Sequence, residues 1–492
     1  MRLPEYDTAD ATELASWVAR GDVHPRELVA AALERIEARN GALNAVVHID
    51  AERALDAAER LPDGPFRGVP FLLKDLGAED AGQPCTSSCA PMKDWRAPRD
   101  SEIVTRYKAA GLNVVGRTNA PELGIYGVTE SRFRGPCRNP WDTTRTPGGS
   151  SGGSGSAVAA RMVPVAHAGD GGGSIRIPAA HCGLFGLKPS RGRVPMGPYI
   201  SESWGGLVVQ HVVARSVRDS AALLDCTAGP EVGAPYGVER PERPFLQEVG
   251  RDPGTLRIAW TAEPLFGGTT DPENRTAVEE AARQLEALGH VVEERLPPFD
   301  REALVRAYLS FVAVGTASEL QGIGAHIGRP VTASEVEPVT WLLSRIGHKL
   351  TAMEMQGHRE AMYAAGRAMG AFFAQHDVLV TPTCAVPPVP IGTFTSSRAE
   401  LLQLGLLRTL DMGALYRVAL EQLAADALSA TANTMLFNLT GQPAVSMPLH
   451  ASPHGLPIGV QAVGRYGDEA TLLRLAAQLE PSFVSGMPPG LG

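Results

Sequence analysis

Residues 146–191 read TPGGSSGGSGSAVAARMVPVAHAGDGGGSIRIPAAHCGLFGLKPSR, two Gly/Ser clusters whose serines 150 and 174 stand 24 residues apart. Three readings compete. Gly and Ser disfavour helix and strand, so a flexible linker is the first. Linkers are rarely followed at once by apolar runs such as Ala157–Ala160 and Ile175–Ile177, and rarely come twice in mid-domain. A phosphate-cradling loop is the second. It would end in Gly-Lys-Ser/Thr, which is absent, and the dinucleotide fingerprint is matched only loosely by Gly148, Gly149, Gly152, Gly153 and Gly155. The third is nucleophilic catalysis. A glycine run such as Gly171-Gly172-Gly173-Ser174 can turn several backbone N–H groups toward one oxyanion, and a serine beside it needs a base. The segment lacks G-x-S-x-G, so it is not an α/β-hydrolase elbow. His167 and His181 are near in sequence and are conceivable bases, though packing or capping roles suit them as well. Lys74 is the other option, because it ends the apolar run Val69–Leu73, where burial would disfavour its charge.

Outward from this stretch, strands and helices alternate. Residues 8–40 read as two helices, the first capped by Thr8 or Asp10 and ended by Gly21, the second opened by Pro25 and ended at Asn40-Gly41. Residues 50–61 predict a third. Strands are expected at 69–73, 113–115, 256–260, 290–292, 377–380, 444–449 and 458–463, helices at 101–110 and 274–288, and mostly helix over 330–375. Such alternation predicts an α/β fold.

The composition excludes several classes of function. The chain has 492 residues, with 45 Lys+Arg against 54 Asp+Glu, a net charge of −9 that argues against a phosphate-tracking nucleic-acid binder. The 53 glycines and 39 prolines predict many tight turns. No uninterrupted apolar run reaches the roughly 18 residues that span a bilayer, so no membrane partner is expected. The N-terminus resembles neither a signal nor a transit peptide. Cys85 and Cys89 are spaced C-x3-C without a second pair, so reduced thiols rather than a zinc site are expected, and the cytoplasm is the simplest location.

Four segments, GVPFLLKD (68–75), GGSSGGSG (148–155), GDGGGSIRIP (169–178) and CGLFGLKPSRGRV (182–194), together resemble the amidase signature family. They stand in the family's order, with Lys74 76 residues before Ser150. The likeness extends through DVLVTPT (377–383) and FNLTGQPAVSMP (437–448), and so covers essentially the whole chain. The resemblance implies a large mixed, mostly parallel twisted sheet covered by helices. The expected layout is a helical segment at 1–62, the signature core at 63–227, a more helical second lobe or insertion at 228–430, and strands and a helix completing the core at 431–492. It also implies a Ser-cisSer-Lys triad: Ser174 as nucleophile, Ser150 as bridging serine joined by a cis peptide to Gly149 or Ser151, and Lys74 as base. The N–H groups of Gly171, Gly172, Gly173 and Ser174 would form the oxyanion hole. Asp170 and Arg176 would pair to hold the loop, with Ser151 supporting it by hydrogen bonding. Gly171 stands where the family usually has a β-branched or small residue, an extra glycine expected to loosen the loop or admit a bulkier acyl group.

The resemblance implies cleavage of amide C–N bonds in a small-molecule substrate, with no metal or organic cofactor. The layout looks most like the subgroup of cyclic- and linear-amide hydrolases that includes the 6-aminohexanoate cyclic-dimer hydrolases, and aryl-amide, carbamate and ester cleavage share its framework. Tyr126, Trp204, Trp341 and Phe437 are candidates for an acyl pocket, with ordinary core as their other reading. Two further functions stand as alternatives: a glutamine-dependent amidotransferase A-type subunit working in a complex, and a binding protein that kept the scaffold. Oligomeric state is not readable, and a homodimer is the commonest outcome for soluble chains.

Overall fold

In the computed structural model, which describes residues 4–394, 430–489 and 491, the run Pro70–Lys74 is a strand with all five residues buried. A strand covered on both faces needs this continuous apolar character, and its place is inside a sheet. The strands in chain order are β1 Val46–Ile49, β2 Pro70–Lys74, β3 Asn113–Thr118, β4 Glu130–Ser131, β5 Gly135–Pro136, β6 Val165–Asp170, β7 Phe185–Lys188, β8 Val209–Ala214, β9 Arg257–Trp260, β10 Val291–Glu294, β11 Val378–Pro382, β12 Ala444–Ala451 and β13 Pro457–Gly464. Eleven of them form one sheet in the order β1-β3-β2-β6-β8-β7-β12-β13-β11-β9-β10, and β4 and β5 pair separately.

The sheet is mixed and flanked by helices, as expected, but it is less parallel than the sequence reading held. Only β2–β3, β2–β6, β9–β10 and β9–β11 pair in parallel, two blocks toward the edges of the sheet. The middle strands β6, β8, β7, β12 and β13 pair antiparallel. The reason is connectivity. Parallel neighbours need a crossover, usually helical, whereas β12 and β13 are joined by a five-residue loop that can only turn back.

The predicted terminal helices form at Ala11–Arg20, with Asp10 accepting from the Glu13 N–H, and at Pro25–Leu43. The stretch 228–430, read as a second lobe, supplies β9, β10 and β11 to the same sheet, and its residues 395–429 lie outside the described residues. It also contains the 27-residue helix Arg301–Ile327. By length and composition alone this helix could cross a membrane, but 56% of its apolar stretch is buried in the protein. There it packs with Leu342, Met369, Phe373 and Phe437 in a second core beside the main one. The six cysteines are all unpaired, five of them buried.

Candidate active site

Because β2 and β6 run parallel, with Phe71 opposite Val165, their carboxyl ends emerge on the same side of the sheet. Ligands of open α/β sheets bind outside such ends. Lys74 is the last residue of β2, Asp170 the last of β6, and the Gly171–Ser174 loop follows Asp170 directly. Ser150 arrives from a third direction, just before the helix Gly152–Ala159, through a cis peptide bond between Gly149 and Ser150.

Lys74 is 1% exposed, and its Nζ donates to Ser150 Oγ at 2.6 Å. Burial pushes the ammonium down to about 7, against the opposing pull of the Asp170 carboxylate. A lysine in this setting is a proton acceptor at neutral pH. The two histidines do not compete for the role. His167 is buried on β6, bonded through Nε2 to Gln210 at 2.9 Å, and burial pushes it down to about 3. His181 lies in the helix Arg176–Cys182, against Gly148, and burial pushes it down to about 4. Ser174 retains 8% exposure at the head of its loop.

The loop is held by a buried ion pair. Asp170 accepts from Arg176 Nη2 at 2.8 Å and Arg176 Nε at 2.9 Å, with neither side chain exposed. Arg176 also donates to the Thr434 carbonyl, Gln461 Oε1 and Asn438 Oδ1, so all five of its N–H groups are used. Burial disfavours the Asp170 charge, but the Arg176 guanidinium more than offsets this and holds the carboxyl well below its usual range. Asn438 closes the network by donating to Asp170 Oδ1 at 2.9 Å. Ser151 exchanges hydrogen bonds with the backbone of Gly169, at 3.2 and 3.3 Å, and so braces β6 one residue before Asp170.

One expected oxyanion donor is displaced. The Gly173 N–H is turned inward to Asp170 Oδ1 at 2.7 Å, because the carboxylate is the nearer and stronger acceptor. Gly173 takes φ +130°, a conformation that excludes a side chain, and a Cβ there would collide with Thr434. The N–H groups of Gly171, Gly172 and Ser174 have no acceptor among the described residues, so these three are left to face an oxyanion.

The extra glycine does not loosen the loop. A Cβ on Gly171 would come within 2.9 Å of Val208 Cγ2 and 3.0 Å of the Trp204 ring, and a Cβ on Gly315 would also run into the same indole. Trp204 is thus clamped between the loop and the helix Arg301–Ile327, filling the space that a branched side chain would take. Of the other aromatic candidates, Tyr126 follows Gly124, which abuts Ser150. Trp341 and Phe437 join core clusters.

Four neighbours went unseen in the sequence: Thr434, whose hydroxyl donates to the Gly172 carbonyl at 2.6 Å, Asn438, Gln461 and Tyr308. Asn438 lay inside a recognisable motif, but nothing local connects it to Asp170, 268 residues away. The Tyr308 hydroxyl stands directly over Gly172, where a Cβ would overlap it, and has no hydrogen-bond partner among the described residues. Gly172→Ala is therefore expected to displace the loop and lower kcat by about 100-fold, the usual cost of a misplacement near 1 Å. Adding Tyr308→Phe should recover at least about tenfold of that loss by removing the overlapping oxygen. Steady-state kinetics of the single and double variants check both values.

Among the described residues, no three His, Cys, Asp or Glu side chains cluster as metal ligands would. The arrangement is that of a serine nucleophile, a second serine and a neutral lysine under backbone donors. Comparison with known proteins agrees. The model of the Amidase family matches residues 27–473. The 6-aminohexanoate-cyclic-dimer hydrolase of Pseudomonas sp. (strain NK87) is 39% identical over 478 residues, 96% of this chain and 94% of that protein. An acylamidase of Rhodococcus erythropolis is 34% identical over 96% of this chain and 94% of its own length. A solved structure of 6-aminohexanoate cyclic dimer hydrolase superposes with a TM-score of 0.89 at 38% identity, covering 98% of this chain and 99% of that one.

Proposed function

The chain belongs to the amidase family and hydrolyses amide C–N bonds, and from that premise we propose that it opens small cyclic and linear amides through an acyl-enzyme on Ser174. Ser174 gives its proton to Ser150 and Ser150 gives one to neutral Lys74, while Ser174 Oγ attacks the carbonyl carbon. The N–H groups of Gly171, Gly172 and Ser174 receive the developing oxyanion. The charged Lys74 then returns a proton through Ser150 to the leaving nitrogen, and water releases the acid by the same relay. The observation that carries this reading is the 2.6 Å contact between a buried lysine and the serine just ahead of the Gly-rich helix.

The substrate class rests on full-length similarity to an enzyme named for a cyclic dimer of 6-aminohexanoate. A panel of a cyclic diamide, its linear counterpart, an anilide and a carbamate tests it, with kcat/KM expected to be highest on the aliphatic amides. A preference of about 100-fold or more for the anilide or carbamate would overturn it. The amidotransferase reading is not favoured, since the free-standing amide hydrolases align over nearly the whole chain. A cytoplasmic location and a homodimer remain part of the proposal, the first resting on six unpaired cysteines.

The pH dependence follows from the base. Lys74 works only when neutral, and its pKa is about 7. Activity should rise with pH, reach half of its maximum near pH 7 and flatten above about pH 8. At pH 6 it should be about tenfold below the plateau. A pH–kcat/KM profile checks this, and a rate that falls steadily from pH 5 to 9 would count against Lys74.

A further inference from the structure

A cavity of about 530 Å³ opens between the helix Ala352–Gln375 and the segments that follow the helix Leu436–Thr440 and strand β13, away from Lys74 and Ser174. Arg191, Arg367 and Arg465 line it, and no Asp or Glu does. On a chain of net charge −9, that concentration of one sign in one hollow calls for a physical account.

Two of the arginines are fixed in advance. Arg191 donates from Nε to the Gly206 carbonyl at 2.6 Å and from Nη2 to the carbonyls of Asn438 and Leu439 at 2.6 and 2.8 Å. Arg465 donates from Nε to the Phe373 carbonyl at 2.9 Å and from Nη2 to Asp377. In both, Nη1 has no acceptor among the described residues. The acid in contact, Asp377, is already shared with Arg257. Arg367 has no ion-pair or hydrogen-bond partner among the described residues. Gln442 lines the same hollow at 3% exposure, and its Oε1 is buried without a donor. A carboxamide held this way, with neither end bonded to the described residues, is a polar group waiting for a partner.

The rest of the lining is apolar or aromatic, including Met362, Phe373 and Leu439. We propose that this cavity is a second binding site, separate from the catalytic one, for an organic carboxylate with an apolar body. The guanidinium groups and Gln442 would take the carboxylate, and the apolar wall its chain. The lack of a lining acid disfavours a ligand with a cationic end, and the apolar wall disfavours a bare inorganic anion. Acids are also what amide hydrolysis releases, so the ligand class is available wherever the enzyme works. The site does not depend on how Ser174, Ser150 and Lys74 act.

Calorimetric titration of the full chain with octanoate, inorganic phosphate and hexylamine tests the proposal. Octanoate should bind one per chain with a Kd between about 10 μM and 1 mM. Phosphate should bind at least about tenfold more weakly, and hexylamine should give no binding heat. Arg367→Glu should weaken octanoate at least about tenfold while leaving amide turnover unchanged, which separates this site from product binding at Ser174. Octanoate that fails to bind at 10 mM (roughly, the weak limit of specific recognition), or that binds Arg367→Glu as tightly as the unaltered chain, would overturn the proposal. So would phosphate binding as tightly as octanoate.

Discussion

Lys74→Met is expected to lower kcat/KM for a simple amide by about 10⁴-fold or more while the protein stays folded. The two halves of this expectation have different physical origins. The rate falls because Ser150 loses the only base in contact with it among the described residues, at 2.6 Å, and an unassisted serine hydroxyl is a poor nucleophile. The fold survives because Lys74 is already neutral for much of the working pH range, with burial pushing it down to about 7, so an apolar chain of similar length replaces it without stranding a charge. The Ser150 hydroxyl loses its partner, which costs about 1–3 kcal/mol. Ser174→Ala should be as inactive, and the double variant no worse than either single one, since groups acting as a unit are not additive. Near-normal turnover by either folded variant would exclude the relay.

Arg176→Met should have the largest effect on stability. It removes five donated hydrogen bonds and leaves Asp170, with 0% exposure, as a buried carboxylate facing only Asn438 and backbone N–H groups. Breaking one side of a buried pair costs about 3–5 kcal/mol, whereas replacing both sides with matched uncharged groups costs less. Urea unfolding should therefore place Arg176→Met well below the parent, with Asp170→Asn/Arg176→Met recovering part of the loss. Both variants should be nearly inactive, because the Gly173 N–H and the Thr434 carbonyl lose the anchors that shape the loop. A double variant less stable than Arg176→Met would show that the pair is not what holds the loop.

The parts of the molecule that were legible in the sequence are those where local chemistry dictates structure. Asp10, Gly21 and Pro25 placed helix ends correctly because caps and turns act over a few residues. The all-apolar Val69–Leu73 announced a buried strand, and the lysine at its end announced the base. The helix Arg301–Ile327 gave no stripe, since it is apolar on nearly every face and carries glycines at 315, 322 and 324 that ordinarily mark breaks. The sheet's antiparallel centre was hidden because β7, β8 and β12 are ordered by long-range pairing. Likewise, the Gly173 N–H was assigned to the oxyanion because a motif does not reveal which way one amide turns. The network of Thr434, Asn438 and Gln461 spans more than 250 residues from Arg176 and Asp170, a distance no local pattern crosses.

The most direct measurement is to mix the protein with an activated acyl ester or amide, quench in acid within the first turnovers, and locate the added mass by peptide sequencing. The relay predicts one acyl group per chain on Ser174, and none on that serine in Lys74→Met at the same time point. An adduct on any other side chain, or turnover with no covalent adduct at all, would contradict it.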